Sequence, residues 1–178
     1  MKNKILWITQ TALMLALLIV LQWATKPLGQ IVTGSCVNAV LAMAALIVGM
    51  GGGLTVALLS PVFAYLLGIA PNLVTVPAIM AGNAVYVVVL VLALGRSSAL
   101  WRKAVAWLAA AIGKFAVLYL LVVVLICGVL AQPLTGMGIP VAAKVLTVNF
   151  SWPQLITALI GGAVAMLIAP IVKKALRR

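Results

Sequence analysis

The chain contains no aspartate, glutamate or histidine among its 178 residues, whereas lysine and arginine together number 12. Ion-coupled carriers usually rely on carboxylates or histidines inside the membrane, so a proton-driven carrier is disfavoured. General acid–base catalysis would lack a carboxylate partner, and hard metal ions would lack anionic oxygen ligands. The sequence therefore favours a protein that is not an enzyme and that holds no metal ion or cofactor.

Cysteine is also scarce, since only Cys36 and Cys127 are present and both fall in apolar segments. Neither has histidine or further cysteine at metal-ligand spacing, so both are predicted to be small core residues. No nucleotide-binding motif is present, because the glycine run at 49–53 follows no strand and has no Lys-Ser/Thr ending. This run is predicted to be a turn, and any uphill transport would need energy from another polypeptide.

Apolar residues dominate what is there. They make up 67% of the chain and charged residues 7%, whereas a soluble domain is about 45–50% apolar and about 25% charged. Crossing ~30 Å of hydrocarbon takes about 20 helical residues. The sequence therefore predicts an all-α integral membrane protein with one domain over residues 1–178 and six transmembrane helices, at roughly 5–25, 33–49, 54–69, 74–95, 104–130 and 154–172. The first is too long for a signal peptide and is expected to stay attached.

The basic residues predict the orientation of these spans. With a cytoplasmic N-terminus, six crossings leave only Lys26 and Lys144 outside, as the positive-inside rule favours. The C-terminus is then cytoplasmic too, and the charge reports topology instead of nucleic-acid binding. Residues 26–32 and 131–153 become long outer loops, either ordinary connectors or a surface for capture from outside. The basic residues predicted inside are Lys2, Lys4, Arg96, Arg102, Lys103, Lys173, Lys174, Arg177 and Arg178.

One remaining cation, Lys114, falls inside the fifth span. Counted from Ala104 it lies about 15 Å deep, where a charge costs at least ~2.5–3.5 kcal/mol. Asn83 reaches nearly the same depth in the fourth span, and Tyr86 at i+3 shares its face. The three are predicted to line a cavity in which a ligand carboxylate or other acceptor meets the lysine. Two readings stay open: the lysine is neutral while the site is empty, or it binds backbone carbonyls or a partner subunit for structural reasons.

Other candidates lie near the predicted outer ends of the spans. Interfacial anchoring explains Trp23 and Trp152, although Trp152, beside Phe150 and Asn149, could also stack on a ligand ring. Asn38 in the second span is either part of the site or one side of an interhelical hydrogen bond.

A pair of small residues, Ala12 and Ala16, lies one turn apart on the first helix, where another helix could approach closely. This pair accompanies a six-span size, both ends inside, a carboxylate-poor body and the stretch GSCVNAVLAMAALIVGMGGGLTVALLSPVFAYLLG, with VPAIMAGN after it. On these features the chain resembles the S-components of energy-coupling factor (ECF) transporters, which are vitamin-uptake proteins. The likeness covers essentially residues 5–175.

The resemblance implies a substrate-capture subunit in a prokaryotic cell membrane, binding a small water-soluble vitamin or related micronutrient from outside. In this family the Ala-x-x-x-Ala surface contacts a transmembrane scaffold joined to two ATPases, which drive toppling of the loaded subunit. Ala12 and Ala16 are therefore expected at a partner interface. The ligand site is expected between helices four to six, under the loop after helix one, with Asn83, Tyr86, Lys114, Asn149, Trp152, Gln154 and, in that loop, Gln30. No riboflavin, thiamine, biotin or folate signature is present, so the substrate is left open.

Two alternatives come from other functional classes. The chain could be a membrane scaffold or assembly protein in which Lys114 only locks helices together. It could also form an oligomeric facilitator or channel, whose pore would favour anions if Lys114 lined it. Only the capture protein is expected to be stabilised by a small molecule, and only the channel is expected to conduct without ATPases.

Overall fold

The computed structural model describes residues 2–70, 72–95 and 99–176, and this part of the chain is helical without any strand. The all-α prediction is confirmed for these residues. The fifth helix continues directly into a π-helical stretch, Tyr119–Val129. The helices are α1 (Lys2–Thr25), α2 (Gln30–Ile47), α3 (Met50–Leu66), α4 (Thr75–Leu94), α5 (Leu100–Leu118), α6 (Ala131–Gly136), α7 (Ala143–Asn149) and α8 (Trp152–Leu176).

Five segments are long and apolar enough to cross a bilayer by length and composition, which makes the chain a multi-pass membrane protein. The remaining long helix, α3, is also apolar but has 17 residues. Many large apolar side chains are exposed on the helices, as expected for surfaces that face lipid. The five segments are Lys4–Leu28, Gln30–Ile47, Thr75–Leu94, Leu100–Val129 and Ala143–Leu176.

Helix α3 runs beside α1 over the same depth. At its start, a Cβ placed on Gly51 would lie 3.5 Å from the indole ring of Trp7. Just past its end, the Gly68 carbonyl accepts a hydrogen bond of 2.9 Å from Lys26 Nζ. Since Trp7 lies near the start of α1 and Lys26 directly follows its end, the two helices are parallel and α2 returns in the opposite direction.

The connections form two ends of the bundle. Asn72 Nδ2 donates to the Pro140 carbonyl at 2.9 Å and so joins the α3–α4 loop to the α6–α7 loop. These loops share one end with the α1–α2 connection, while the basic residues at the start of α5 and the end of α8 lie at the other. Among the basic residues predicted inside, Arg96, Arg177 and Arg178 lie outside the described residues, as does the side chain of Lys2.

The two predicted long loops contain more helix than expected. Residues 26–32 shorten to a 3-10 turn, Lys26–Leu28, and α2 already begins at Gln30. Residues 131–153 contain α6 and α7, because apolar side chains there find a partner surface. Leu146 and Phe150 pack with a stripe from the α5 region, Leu118, Val122 and Ile126, in a second apolar cluster.

The predicted glycine turn at 49–53 is wrong in extent. Only Gly49 has a positive φ, of 98°, and α3 begins at the next residue. The following glycines are helical and permit close packing instead. A Cβ on Gly53 would lie 2.8 Å from Val87 Cγ1 and 3.0 Å from Ala45 Cα.

Helices α2 and α8 approach each other closely at Gly161. A Cβ there would lie 2.5 Å from the Ser35 carbonyl oxygen and 2.6 Å from the Ala39 nitrogen, so the two backbones touch. Such an approach is possible only where one helix has no side chain. It places Asn38 of α2 directly against Thr157 of α8, with Nδ2 and Oγ1 3.2 Å apart.

Candidate functional site

A cavity of about 150 Å³ lies inside the bundle, toward the end that carries the α1–α2 and α3–α4 connections. Helices α1, α2, α3, α4, α5 and α8 contribute to its wall together with the end of α7. Its apolar lining includes Val37, Pro61, Ile79 and Phe150. The polar lining residues are Gln22, Gln30, Thr33, Asn38, Ser60, Asn83, Lys114, Asn149 and Gln154.

Lys114 is the charged residue in this lining, and it is 3% exposed. It lies on the inward stripe of α5, one turn after Ala110 and one before Leu118, both of which are buried. Its Nζ donates to Asn38 Oδ1 at 2.6 Å and to Asn83 Oδ1 at 2.7 Å. A protonated lysine has three N–H donors, so in that form one is left without a hydrogen-bond partner among the described residues.

The two amides come from different helices, Asn38 from α2 and Asn83 from α4. Asn38 gives its Nδ2 to Thr157 Oγ1 at 3.2 Å, which turns Oδ1 toward the lysine. The Thr157 hydroxyl in turn donates to the Gln154 carbonyl at 3.2 Å. A buried polar network of this kind fixes its members only when each is satisfied. The network therefore fixes Asn38 as an acceptor for the cation.

Tyr86 lies close to the lysine but does not line the cavity. It is fully buried, its ring centre lies 5.7 Å from Lys114 Nζ, and its hydroxyl donates to the Ala158 carbonyl at 3.2 Å. The aromatic face can stabilise the cation electrostatically, while the hydroxyl is already occupied. Tyr86 is thus close to the predicted position but in another role.

The predicted site residues divide into two groups. Trp152 is 68% exposed and stacks on Phe115 at 5.7 Å between ring centres, away from the cavity lining. Tyr86 is likewise outside the lining. The structure brings the other six together around the cavity: Gln30, Asn38, Asn83, Lys114, Asn149 and Gln154.

Gln22 and Ser60 line the cavity but were not among the predicted site residues. The available signal was a polar residue inside each of two apolar spans, and Ser60 additionally precedes a proline within α3. Gln22 Oε1 and Ser60 Oγ are buried and have no hydrogen-bond partner among the described residues.

A protonated Lys114 has no countercharge from its own chain in this site. Burying a cation is costly unless an anion or several hydrogen bonds replace its water. The amide oxygens supply hydrogen bonds, but no acidic side chain exists anywhere in the sequence. The described residues also contain no group of three or more histidine, cysteine or acidic residues that could hold a metal ion.

The cavity opens at the loop end of the bundle. Gln30 at the start of α2 is exposed there, and the chain at Ile69 and Ala70 forms part of the same wall. Lys26 is bonded to Gly68, immediately beside that wall. A second exposed lysine, Lys144, lies on α7 at this end. Positive charge of this kind attracts anions toward a cleft.

Comparison with known protein families, with curated proteins and with solved structures found no match to this chain. Its function is therefore inferred from the residues of the site.

Replacing Asn83 by leucine is expected to lower the free energy of unfolding by about 1–3 kcal/mol, because a buried ammonium donor loses its acceptor. Adding Lys114→Met should recover part of this loss, since no ammonium then remains. Thermal unfolding of the four proteins in detergent measures the coupling, expected at about 0.5–3 kcal/mol. Asn72→Leu combined with Lys114→Met serves as the additive control. Strict additivity for Asn83 would contradict the assigned contact.

Proposed function

We propose that this protein is the substrate-capture subunit of an ATP-driven uptake transporter, and that it binds a small water-soluble molecule with a carboxylate or other acceptor group. The observation that carries the proposal is Lys114: a buried ammonium with an unused donor, beside a cavity, in a chain without acidic residues. A lysine that served only to lock helices would need no cavity beside it. An acceptor group on a ligand supplies the partner that the polypeptide lacks.

The cavity volume limits the size of this ligand. Pockets for drug-sized molecules are about 300–1,000 Å³, whereas this cavity is about 150 Å³. A cavity of about that volume admits a molecule the size of benzene. The volume therefore restricts the proposed water-soluble vitamin or related micronutrient to a compact molecule.

The proposed topology has six crossings, with the start of α1 and the end of α8 in the cytoplasm of a prokaryotic cell. Helix α3 is included because it extends beside α1 from Trp7 to Lys26, and 17 residues lie at the lower limit for a span. The cavity mouth then faces outward. The basic residues of α5 and α8 lie on the opposite, cytoplasmic side, as the positive-inside rule favours.

A partner complex supplies the energy in this proposal. The chain has no nucleotide-binding motif, and its resemblance to ECF S-components points to a transmembrane scaffold with two ATPase subunits. Ala12 and Ala16 are both exposed on α1, so they are accessible to a neighbouring helix in the bilayer. Small side chains there permit a close approach.

The topology predicts where single cysteines react. In a variant with Cys36 and Cys127 replaced by alanine, Leu73→Cys should react with a membrane-impermeant maleimide on intact cells, and Met50→Cys only after permeabilisation. The two positions flank α3, so labelling on the same side would contradict its crossing. Lys144→Cys marks the outer side and Arg102→Cys the inner side as controls.

The ligand proposal predicts that purified protein retains a small molecule detectable by mass spectrometry. Adding that molecule at ~100 times its dissociation constant should stabilise the protein by ~2.7 kcal/mol. Lys114→Met should weaken binding about tenfold to hundredfold, because a charge-assisted hydrogen bond is worth about 1.5–3 kcal/mol. The matched Lys144→Met should bind normally. If no molecule is retained or stabilises the protein, a scaffold is favoured, and ion conduction in ATPase-free liposomes favours a channel.

The interface proposal predicts that Ala12→Trp abolishes co-purification with the scaffold and ATPase subunits while ligand binding persists. The bulky ring would hold the partner helix away from α1. Ala104→Trp, at an exposed alanine of α5, is the matched control and should co-purify normally. Loss of both properties in Ala12→Trp, or of neither, would contradict the assignment.

A further inference from the structure

The Ser60 hydroxyl differs from the other buried helical hydroxyls that the structure describes, all of which donate a hydrogen bond. In an apolar environment, a serine or threonine within a helix usually donates to the carbonyl four residues earlier. Six residues do so at 2.6–3.0 Å: Thr9, Thr11, Thr25, Ser35, Thr55 and Thr135. Ser60 is 1% exposed, yet its Oγ has no hydrogen-bond partner among the described residues. Ser60 therefore does not make the hydrogen bond to the carbonyl four residues earlier that these six residues make.

Gln22, on the neighbouring helix α1, also has a buried polar atom without a hydrogen-bond partner in the part of the chain that the structure describes. Its side chain is 7% exposed, and Oε1 is buried without a partner among the described residues. Buried polar atoms are paired in the great majority of cases, so an unpaired one calls for an explanation. Two of them in the wall of one 150 Å³ cavity, which also contains the Lys114 ammonium, indicate groups that a ligand satisfies.

The chemistry of the wall is asymmetric. Lys114 Nζ offers positive charge and a donor, and accepts nothing. Gln22 Oε1 offers an acceptor, and a serine hydroxyl such as that of Ser60 both donates and accepts. A molecule that satisfies all three needs an anionic acceptor group and, within the same small volume, a hydrogen-bond donor.

From this arrangement we infer that the cavity selects a small organic acid that also carries a hydroxyl or N–H donor. Its carboxylate binds the free donor of Lys114, and its donor binds Gln22 Oε1 with the Ser60 hydroxyl as second partner. Simple carboxylic acids satisfy one part of the wall, and neutral alcohols or amides satisfy the other. This inference rests on the proposed capture function and specifies its substrate class.

Matched compounds separate the two requirements. Thermal unfolding of the full-length protein is measured with lactate, propionate and lactamide, and with para-hydroxybenzoate, benzoate and para-hydroxybenzamide. In at least one series, the acid with a donor should raise the unfolding temperature most, the acid without it less, and the amide least. An amide as effective as its acid, or no response in either series, overturns the inference.

Variants of the unpaired residues provide a signature that a structural role would not give. Ser60→Ala and Gln22→Met should leave the ligand-free unfolding temperature unchanged or higher, because an unsatisfied buried group is removed. Both should bind the hydroxy acid about tenfold more weakly and lose its preference over the matched simple acid. Thr157→Val, which removes a hydroxyl with two partners, should lower the ligand-free unfolding temperature. If Ser60→Ala behaves like Thr157→Val and keeps the preference, the inference fails.

The molecule found by mass spectrometry in purified protein distinguishes the two levels of the proposal. A retained organic acid with a donor supports both. A retained neutral or cationic molecule overturns the substrate class and leaves the capture function in place. Absence of any retained molecule, together with no thermal response, overturns both.

Discussion

The buried Lys114 side chain, for which the chain supplies no countercharge, constrains much of this bundle. Lys114 is supplied by α5, and its two acceptors come from α2 and α4, so its hydrogen bonds join three helices at one point. Because neither acceptor is charged, the hydrogen bonds offset only part of the cost of burying a protonated lysine. An anionic group bound in the adjacent cavity would offset the rest of this cost. Lys114 thus both joins three helices and provides the group to which we propose that the ligand binds.

Support for this centre comes from how closely α2 and α8 approach. Gly161 lets the α8 backbone touch α2, which brings Asn38 and Thr157 within hydrogen-bonding distance. With Nδ2 bonded to Thr157, the Asn38 amide has only Oδ1 left for the lysine. A glycine with no chemistry of its own therefore determines which atom of a neighbouring side chain faces the cation. Gln154 continues this network to α7 through its bond to the Asn149 carbonyl, at 3.0 Å.

Counting residues from the helix ends correctly predicted that Lys114 and Asn83 share a depth, since the rise per residue is fixed. The contact with Asn38 was beyond such counting, because the rotation of α2 relative to α5 depends on packing with α8. For the same reason Tyr86 shares the face of Asn83 but turns its hydroxyl to the Ala158 carbonyl. Gln22 and Ser60 were missed because sequence alone gives no sign of which hydroxyls or amides stay unpaired.

The π-helical continuation of α5 has a geometric consequence for how its residues are distributed. Bonding from i to i+5 winds the chain by a smaller angle per residue than in an α-helix. In this wider winding a spacing of four residues falls just short of one turn, so Leu118, Val122 and Ile126 stay near one side and pack with Leu146 of α7 in one apolar cluster. The continuous helix Leu100–Val129 thus lines the polar cavity along its α-helical half and packs against the apolar α7 region along its π-helical half.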